Sequence, residues 1–266
     1  MFFQKEGSMK WPAQLILIRH GQSEYNILRD KKAKDPMYQE FVREFEIDHT
    51  SARTRELAKE VQQKYALGTS DYRTRLTEVG KQMAKVTGYA LRNWPRAERP
   101  HVIYVSPYVR TRETLRAMKE EWPMLNQTRT VFEDRIREQE HGLSLLYNDW
   151  RVFQVMHPEQ KDFRQLQGPY WYQYPQGESV SQVRDRIRSF LTTLVREDSG
   201  KKVMLITHHL TILSIRAILE RLSPEQFTHL DEREKPVNCG VTIYEGDPDK
   251  GSDGKLVLTS YNEKLY

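Results

Sequence analysis

The segment Leu17-Ile18-Arg19-His20-Gly21-Gln22-Ser23-Glu24-Tyr25-Asn26 sets a guanidinium beside an imidazole, then a glycine, then two short side chains that can donate hydrogen bonds. Such a set can hold an oxyanion next to a nucleophilic ring nitrogen, with Gly21 allowing the backbone to approach closely. A second group, Ser106-Pro107-Tyr108-Val109-Arg110-Thr111-Arg112-Glu113-Thr114, places Arg110 in the first turn of an expected helix. Backbone amides there already favour anions, and a planar guanidinium binds them in bidentate fashion. A third, Leu205-Ile206-Thr207-His208-His209, closes an apolar run with two imidazoles. An Arg-His-Gly triplet alone arises by chance. Weight comes from the shared position of all three at the carboxyl end of an apolar run, where open α/β sheets bind ligands. If the runs are neighbouring strands, Arg19, His20, Arg110 and His208 converge on one pocket.

Short apolar or β-branched runs predict strands over 14–18, 101–105, 130–132, 203–207, 241–244 and 256–261. Helical spacing appears between several of them. Residues 77–92 open with a Thr cap and set Val79, Met83, Val86 and Ala90 three and four apart. Residues 108–122 follow a Ser-Pro pair and stop before Pro123, 178–196 carry Val183, Ile187, Phe190 and Leu194 on one face, and 210–222 follow the fourth strand directly. Strand and helix in alternation predict a largely parallel sheet covered on both faces. Two stretches interrupt the alternation. The first lies between Asn26 and Leu76, with helical patterns near 37–47 and 54–66. The second lies between Gly142 and Gly177 and is rich in Tyr and Trp, which read either as packing or as substrate lining. The stretch 246–255 is a turn that can join the last two strands as a hairpin.

The chain has 266 residues, 38% of them hydrophobic and 30% charged, against roughly 45–50% and 25% for an average soluble domain. It is polar but has material for a core, and its length suits one α/β domain with insertions. No apolar run approaches the ~18 residues of a membrane helix, and the opening MFFQKEGSMKW lacks the apolar stretch of a secretory signal. With one cysteine, Cys239, the chain forms no internal disulfide and no Cys cluster for zinc; Cys239 reads as a small buried side chain. A cytoplasmic location is expected. Forty-two Lys and Arg against 37 Asp and Glu leave a net +5, interleaved without a block of like charge. That pattern argues against nucleic-acid binding and suits small anionic substrates.

In order along the chain stand Arg19-His20-Gly21 with Ser23 and Asn26, Leu76-Thr77-Glu78-Val79-Gly80, Ser106-Pro107 with Arg110 through Thr114, Ile136-Arg137-Glu138 with Gly142, Gly177-Glu178-Ser179, and Thr207-His208. In these six motifs, from residue 15 to about 245, the chain resembles the histidine phosphatase superfamily in its phosphoglycerate-mutase-like branch. The resemblance implies a three-layer α/β/α sandwich with a mostly parallel central sheet and helical insertions at about 27–75 and 143–176, the whole forming a single domain. It implies a phosphatase that hydrolyses phosphomonoesters through phospho-His20. Arg19, Arg110 and His208 would surround the phosphoryl oxygens, and Ser23 and Asn26 would add hydrogen bonds. Glu138 would be the proton donor, with Glu140 a neighbouring alternative.

The mechanism requires neither metal nor cofactor. The expected partners are a small phosphorylated substrate, no nucleic acid and no membrane, with room for a homodimer. Cofactor-dependent mutases of the family carry an Arg-Arg-rich segment after the Glu motif; residues 142–176 contain none and are aromatic instead. A non-catalytic phospho-ligand or protein-binding module is a further alternative, against which the intact set of five polar residues argues. One departure stands out: the family commonly has glycine after the second histidine, and here it is His209, whose side chain could narrow the pocket or touch the leaving group. Ser23 also reads as a helix cap, Asn26 as a turn residue, and Gly177-Glu178-Ser179 as a helix start. The two insertions, which follow strands that build the site, are expected to form a lid or wall that sets substrate choice.

Overall fold

The computed structural model describes residues 9–94 and 99–266; the first eight residues of the opening segment examined for a leader lie outside them. The chain divides into two compact units. The first holds the residues up to Gln22 with Arg75–Glu138 and Arg184–Tyr266, and the second holds Ser23–Thr74 with Gln139–Val183.

The first unit contains a six-stranded sheet of β1 (Gln14–Arg19), β2 (Val102–Val105), β3 (Arg129–Phe132), β4 (Lys202–Thr207), β5 (Val241–Asp247) and β6 (Lys255–Glu263), in the order β3-β2-β4-β1-β5-β6. β3, β2, β4 and β1 run parallel; β5 and β6 are antiparallel and form the expected hairpin. β1, β2 and β4 are almost wholly buried, which is why their sequences are continuous Val, Ile and Leu instead of alternating with polar residues. Ile16, Ile18, Ile103, Val105, Met204 and Ile206 pack on one face against Ala84 and Leu91 of α4 (Glu78–Asn93) and Leu115 and Met118 of α5 (Val109–Glu121). On the other face the Tyr104 ring meets Phe190 of α8 (Val180–Glu197) at 5.2 Å between centroids. The Tyr244 hydroxyl donates to Glu220 at the end of α9 (His209–Leu219). The sheet is thus mixed, mostly parallel and flanked by helices, as expected.

Helix α9 stops at Leu219, three residues before the expected end, where Arg221 adopts a left-handed φ of 57° that a helix interior does not allow. A tenth helix, α10 (Pro224–Arg233), has no counterpart in the sequence reading. It buries only Phe227, and one buried side chain in ten residues leaves no apolar period to detect.

The second unit joins α1 (Glu24–Ala33), α2 (Pro36–Ile47) and α3 (Ala52–Lys64) to α6 (Trp150–Met156) and α7 (Pro158–Gln167). Two of the three N-terminal helices match the expected patterns; α1, mostly polar, does not announce itself. Tyr38, Phe41, Phe45, Leu57, Val61, Val152 and Val155 form its core. The aromatics of 147–174 divide: Phe153, Tyr170 and Tyr172 are buried, whereas Trp150, Phe163 and Trp171 are exposed. Among the described residues no helix is long and apolar enough to cross a membrane.

Candidate active site

Strand register levels three of the site segments. Arg19 of β1 pairs with Thr207 of β4, and Val105 of β2 pairs with Ile206, so His20, Ser106 and His208 leave the sheet at neighbouring points. The next residue is pinned by contacts only glycine permits. A Cβ on Gly21 would stand 2.4 Å from the Gly80 carbonyl oxygen, and one on Gly80 would stand 2.0 Å from that of Gln22. The Gly21 amide donates to Thr114 Oγ1 at 3.0 Å, tying the loop to α5.

His20 is buried, and its Nδ1 lies 2.8 Å from the Gly21 carbonyl oxygen. A carbonyl only accepts, so Nδ1 carries the proton and Nε2 of the neutral ring keeps its lone pair. Burial, then the charges of Arg110 and Arg19, push His20 well below the usual histidine range, against a smaller opposing effect of the Gly21 bond. The His208 ring lies 5.2 Å from that of His20, edge to face. Its Nε2 shares a 2.7 Å hydrogen bond with Ser106 Oγ, while its buried Nδ1 has no hydrogen-bond partner. His208 is also held well below its ordinary range, by burial and by Arg110, His20 and Arg19.

Both imidazoles are therefore neutral when folded and protonate near 6.5 when unfolded. Below that pH the unfolded chain binds more protons, and folding stability falls with pH. Urea unfolding between pH 7 and 5 should show a loss of about 1.4 kcal/mol per pH unit for each histidine once pH is well under 6.5. His20→Asn should remove one histidine's share of that slope; an unchanged slope would mean that the ring is not held neutral.

Arg110 is buried in the first turn of α5 with its guanidinium 4.6 Å from the Tyr108 ring centroid. Arg19 Nη1 donates to the Pro236 carbonyl at 2.7 Å. The helices α1, α2, α3, α4, α6 and α10 are closed at their N-termini by Ser23, Asp35, Ser51, Thr77, Asp149 and Ser223. The N-cap residues of α5 and α9, Tyr108 and His208, supply no such side-chain bond. Both of these N-termini follow strands of the sheet directly and lie beside the histidines, and the field at a helix N-terminus favours an anion.

Glu138 follows a short 3-10 turn held against β4 and α9. Thr207 Oγ1 donates to the Ile136 carbonyl and Thr211 Oγ1 to that of Arg137, both at 2.7 Å, and Arg186 Nη2 donates to that of Glu138 at 3.0 Å. Its carboxyl oxygen Oε2 lies 3.8 Å from His209 Nδ1. His209 Nε2 is 2.5 Å from Asp231 Oδ1 on α10. Glu140 belongs to the second unit, where its backbone is tied to Glu178.

Ser23 and Asn26 also lie in the second unit, and there they form a capping box at the start of α1. The backbone amide and hydroxyl of Ser23 both donate to Asn26 Oδ1 at 3.0 Å. Their capping role is the one the structure displays. Ser179 and Gln182 form a similar reciprocal pair, in keeping with Gly177-Glu178-Ser179 as a helix start. Cys239 is buried, its thiol pushed up to about 12 by burial.

Several residues have no signature in the sequence reading. Asn238 Nδ2 donates to the His20 carbonyl at 3.0 Å, and the Cys239 amide donates to that of Arg19 at 3.0 Å, fixing the backbone of the Arg-His pair. Ser106 was noted only as part of a motif and proves to hold the His208 ring. Asp231 sits on the unanticipated helix.

Together these features describe an α/β protein with two buried histidines, His20 and His208, directly after strands of its sheet, with Arg19 and Arg110 close enough to keep them neutral. The profile of the histidine phosphatase superfamily (branch 1) matches residues 49–257, and the chain belongs to that superfamily. The matched range begins after the Arg19-His20 segment, which lies in the unmatched N-terminal part. The phosphoglycerate mutase-like protein AT74 of Arabidopsis thaliana is 28% identical over 269 residues, covering 96% of this chain and 71% of that protein. Phosphoserine phosphatase 1 of Hydrogenobacter thermophilus is 30% identical over 134 residues, half of this chain and 58% of that protein. Among solved structures, mycobacterial glucosyl-3-phosphoglycerate phosphatase with inorganic phosphate shares the fold at TM-score 0.62 and 18% identity, covering 95% of this chain and 98% of that one. Phosphoglycerate mutase of Bacillus anthracis does so at 0.58 and 16%, covering 98% and 96%.

Proposed function

We propose that the chain is a phosphomonoester hydrolase that carries the phosphoryl group on His20, with Glu138 as proton donor. The observation that carries this reading is the state of the His20 ring: Nδ1 occupied by the Gly21 carbonyl, Nε2 left with its lone pair, and burial, with Arg110 and Arg19, keeping the ring neutral. A neutral, fixed imidazole is the form that attacks phosphorus. In the first step Nε2 bonds to phosphorus as the ester P–O bond breaks, and Glu138 gives its proton to the departing oxygen. In the second, water attacks the phosphohistidine, its proton passes to the Glu138 carboxylate, and the P–N bond breaks to restore neutral His20. Arg19, Arg110 and the unpartnered Nδ1 of His208 supply charge and hydrogen bonding to the phosphoryl oxygens, where preorganised electrostatics contribute most. Ser23 and Asn26 cap α1 through Ser23 Oγ and Asn26 Oδ1, and in this reading they would add hydrogen bonds to the phosphoryl group.

The similarity to a phosphoserine phosphatase supports hydrolysis of a small phosphorylated substrate, as does the lack of an Arg-Arg segment in 142–176. A panel of phosphomonoesters, including 3-phosphoglycerate with and without 2,3-bisphosphoglycerate, tests it. Phosphate release should outrun isomerisation on every substrate. Isomerisation faster than phosphate release in the presence of the bisphosphate would make the chain a mutase.

A further inference from the structure

We propose that His209 is a positioning residue for Glu138, its ring fixed by Asp231 and in turn holding the Glu138 carboxyl for proton delivery to the leaving oxygen. The inference rests on Glu138 being the proton donor, as proposed above. His209 is the first residue of α9, directly after His208.

The geometry is a chain of three side chains from three elements. Asp231 comes from α10, His209 from α9, and Glu138 from the loop after β3. An ionised Asp231 can only accept, so the 2.5 Å contact puts a proton on Nε2 and fixes the ring's rotation. Nδ1, on the opposite side of the ring, is thereby aimed at Glu138 Oε2 across 3.8 Å. At 3.8 Å this is a contact and not a hydrogen bond, so the ring acts by limiting where the carboxyl can sit. The carboxyl gives its proton to the leaving oxygen in the first step and regains one from the attacking water in the second.

The surroundings support positioning over simple packing. The carbonyls of Glu138 and of the two residues before it are pinned by Arg186, Thr207 and Thr211, which fixes the backbone from which the Glu138 side chain projects. The His209 and Glu138 side chains are 21% and 16% exposed, open enough for a substrate oxygen to reach. His209 also contributes to the electrostatic environment of His20. Lys235 Nζ lies 3.8 Å from Asp231 Oδ1 and gives that carboxylate a cation besides its bond to His209.

The test compares two leaving groups. For His209→Ala, kcat/KM on an alkyl phosphomonoester, whose departing oxygen needs protonation, should fall by about 10–100-fold. On p-nitrophenyl phosphate, whose leaving group departs with little help, the loss should be markedly smaller. Added imidazole should restore part of the alkyl ester activity, and Asp231→Asn should show the same selectivity in a protein that keeps the His209 ring. Equal losses on both substrates, or none, would overturn the proposal. Glu138→Gln run in parallel separates the two assignments. If it lacks the leaving-group selectivity, the proton-donor role fails and the His209 inference with it. If it shows the selectivity and the His209 and Asp231 variants do not, only the inference about His209 fails.

Discussion

His20→Ala should lower turnover of every substrate by about three orders of magnitude or more, because in the proposed mechanism the step it removes is formation of the phosphoenzyme itself. Rapid acid-free quenching with labelled substrate should trap a phosphoryl group on the wild-type chain, labile to acid and stable to base, and none on the variant. The substitution is mild for the fold. The contacts that hold residue 20 in place use its backbone: the amide donates to the Thr207 carbonyl at 2.9 Å, and its own carbonyl accepts from Asn238. The side chain gives up the bond to Gly21, the edge-to-face contact with the His208 ring and the burial of a titratable ring. A folded His20→Ala protein that retained activity within tenfold of wild type would end the covalent mechanism.

The largest stability effect is expected in the second unit, at Asp149. Its Oδ2 accepts from Lys32 Nζ at 2.5 Å and from the Tyr38 hydroxyl at 2.7 Å, and its Oδ1 caps α6 by accepting from the Arg151 amide at 2.8 Å. The two charged side chains are only 8% and 4% exposed. Burial and the Asp149 charge raise the Tyr38 hydroxyl above its ordinary range, so it remains a donor at all ordinary pH. Asp149→Ala strands the Lys32 ammonium in a buried place and removes the cap, which should cost about 3–5 kcal/mol. Denaturant unfolding, with hydrogen exchange followed over 23–74 and 139–183, would measure it. The double variant Lys32→Met with Asp149→Leu should recover much of the loss, since a buried pair replaced by apolar groups is often near neutral. A loss under about 1 kcal/mol in Asp149→Ala would mean that the pair is solvated instead of buried.

Much of the first unit is legible from the chain because its signals are local. Continuous apolar residues within 14–18 and 203–207 encode strands buried on both faces, the helix 77–92 opens on its own Thr cap, and the helix 108–122 is bounded by a Ser-Pro pair and Pro123. All six strands and four main helices fall within a few residues of the expected limits. The second unit is less legible. Helix α1 is mostly polar and owes its start to the Ser23 capping box, and α10 buries a single phenylalanine. Ser23 and Asn26 illustrate a limit of motif reading: the same two polar side chains suit a ligand or a cap, and the bonds they make at the start of α1 are those of a cap.

The sequence by itself determined which residue types stand at the ends of the strands, because the end of an apolar run marks the end of a strand wherever the chain later folds. Arg19, His20 and His208 could be chosen on that ground, and Arg110 from its place in the first turn of the helix that follows. Tertiary structure decided the chemical state of those residues. Which nitrogen of His20 carries the proton depends on the Gly21 carbonyl, and the neutrality of both histidines depends on burial beside two guanidiniums. Tertiary structure also decided that His209, 22 residues from Asp231 in the chain, lies between that carboxylate and Glu138. Protonation and orientation follow from solvent exclusion and from contacts between distant segments, and neither leaves a local pattern to read.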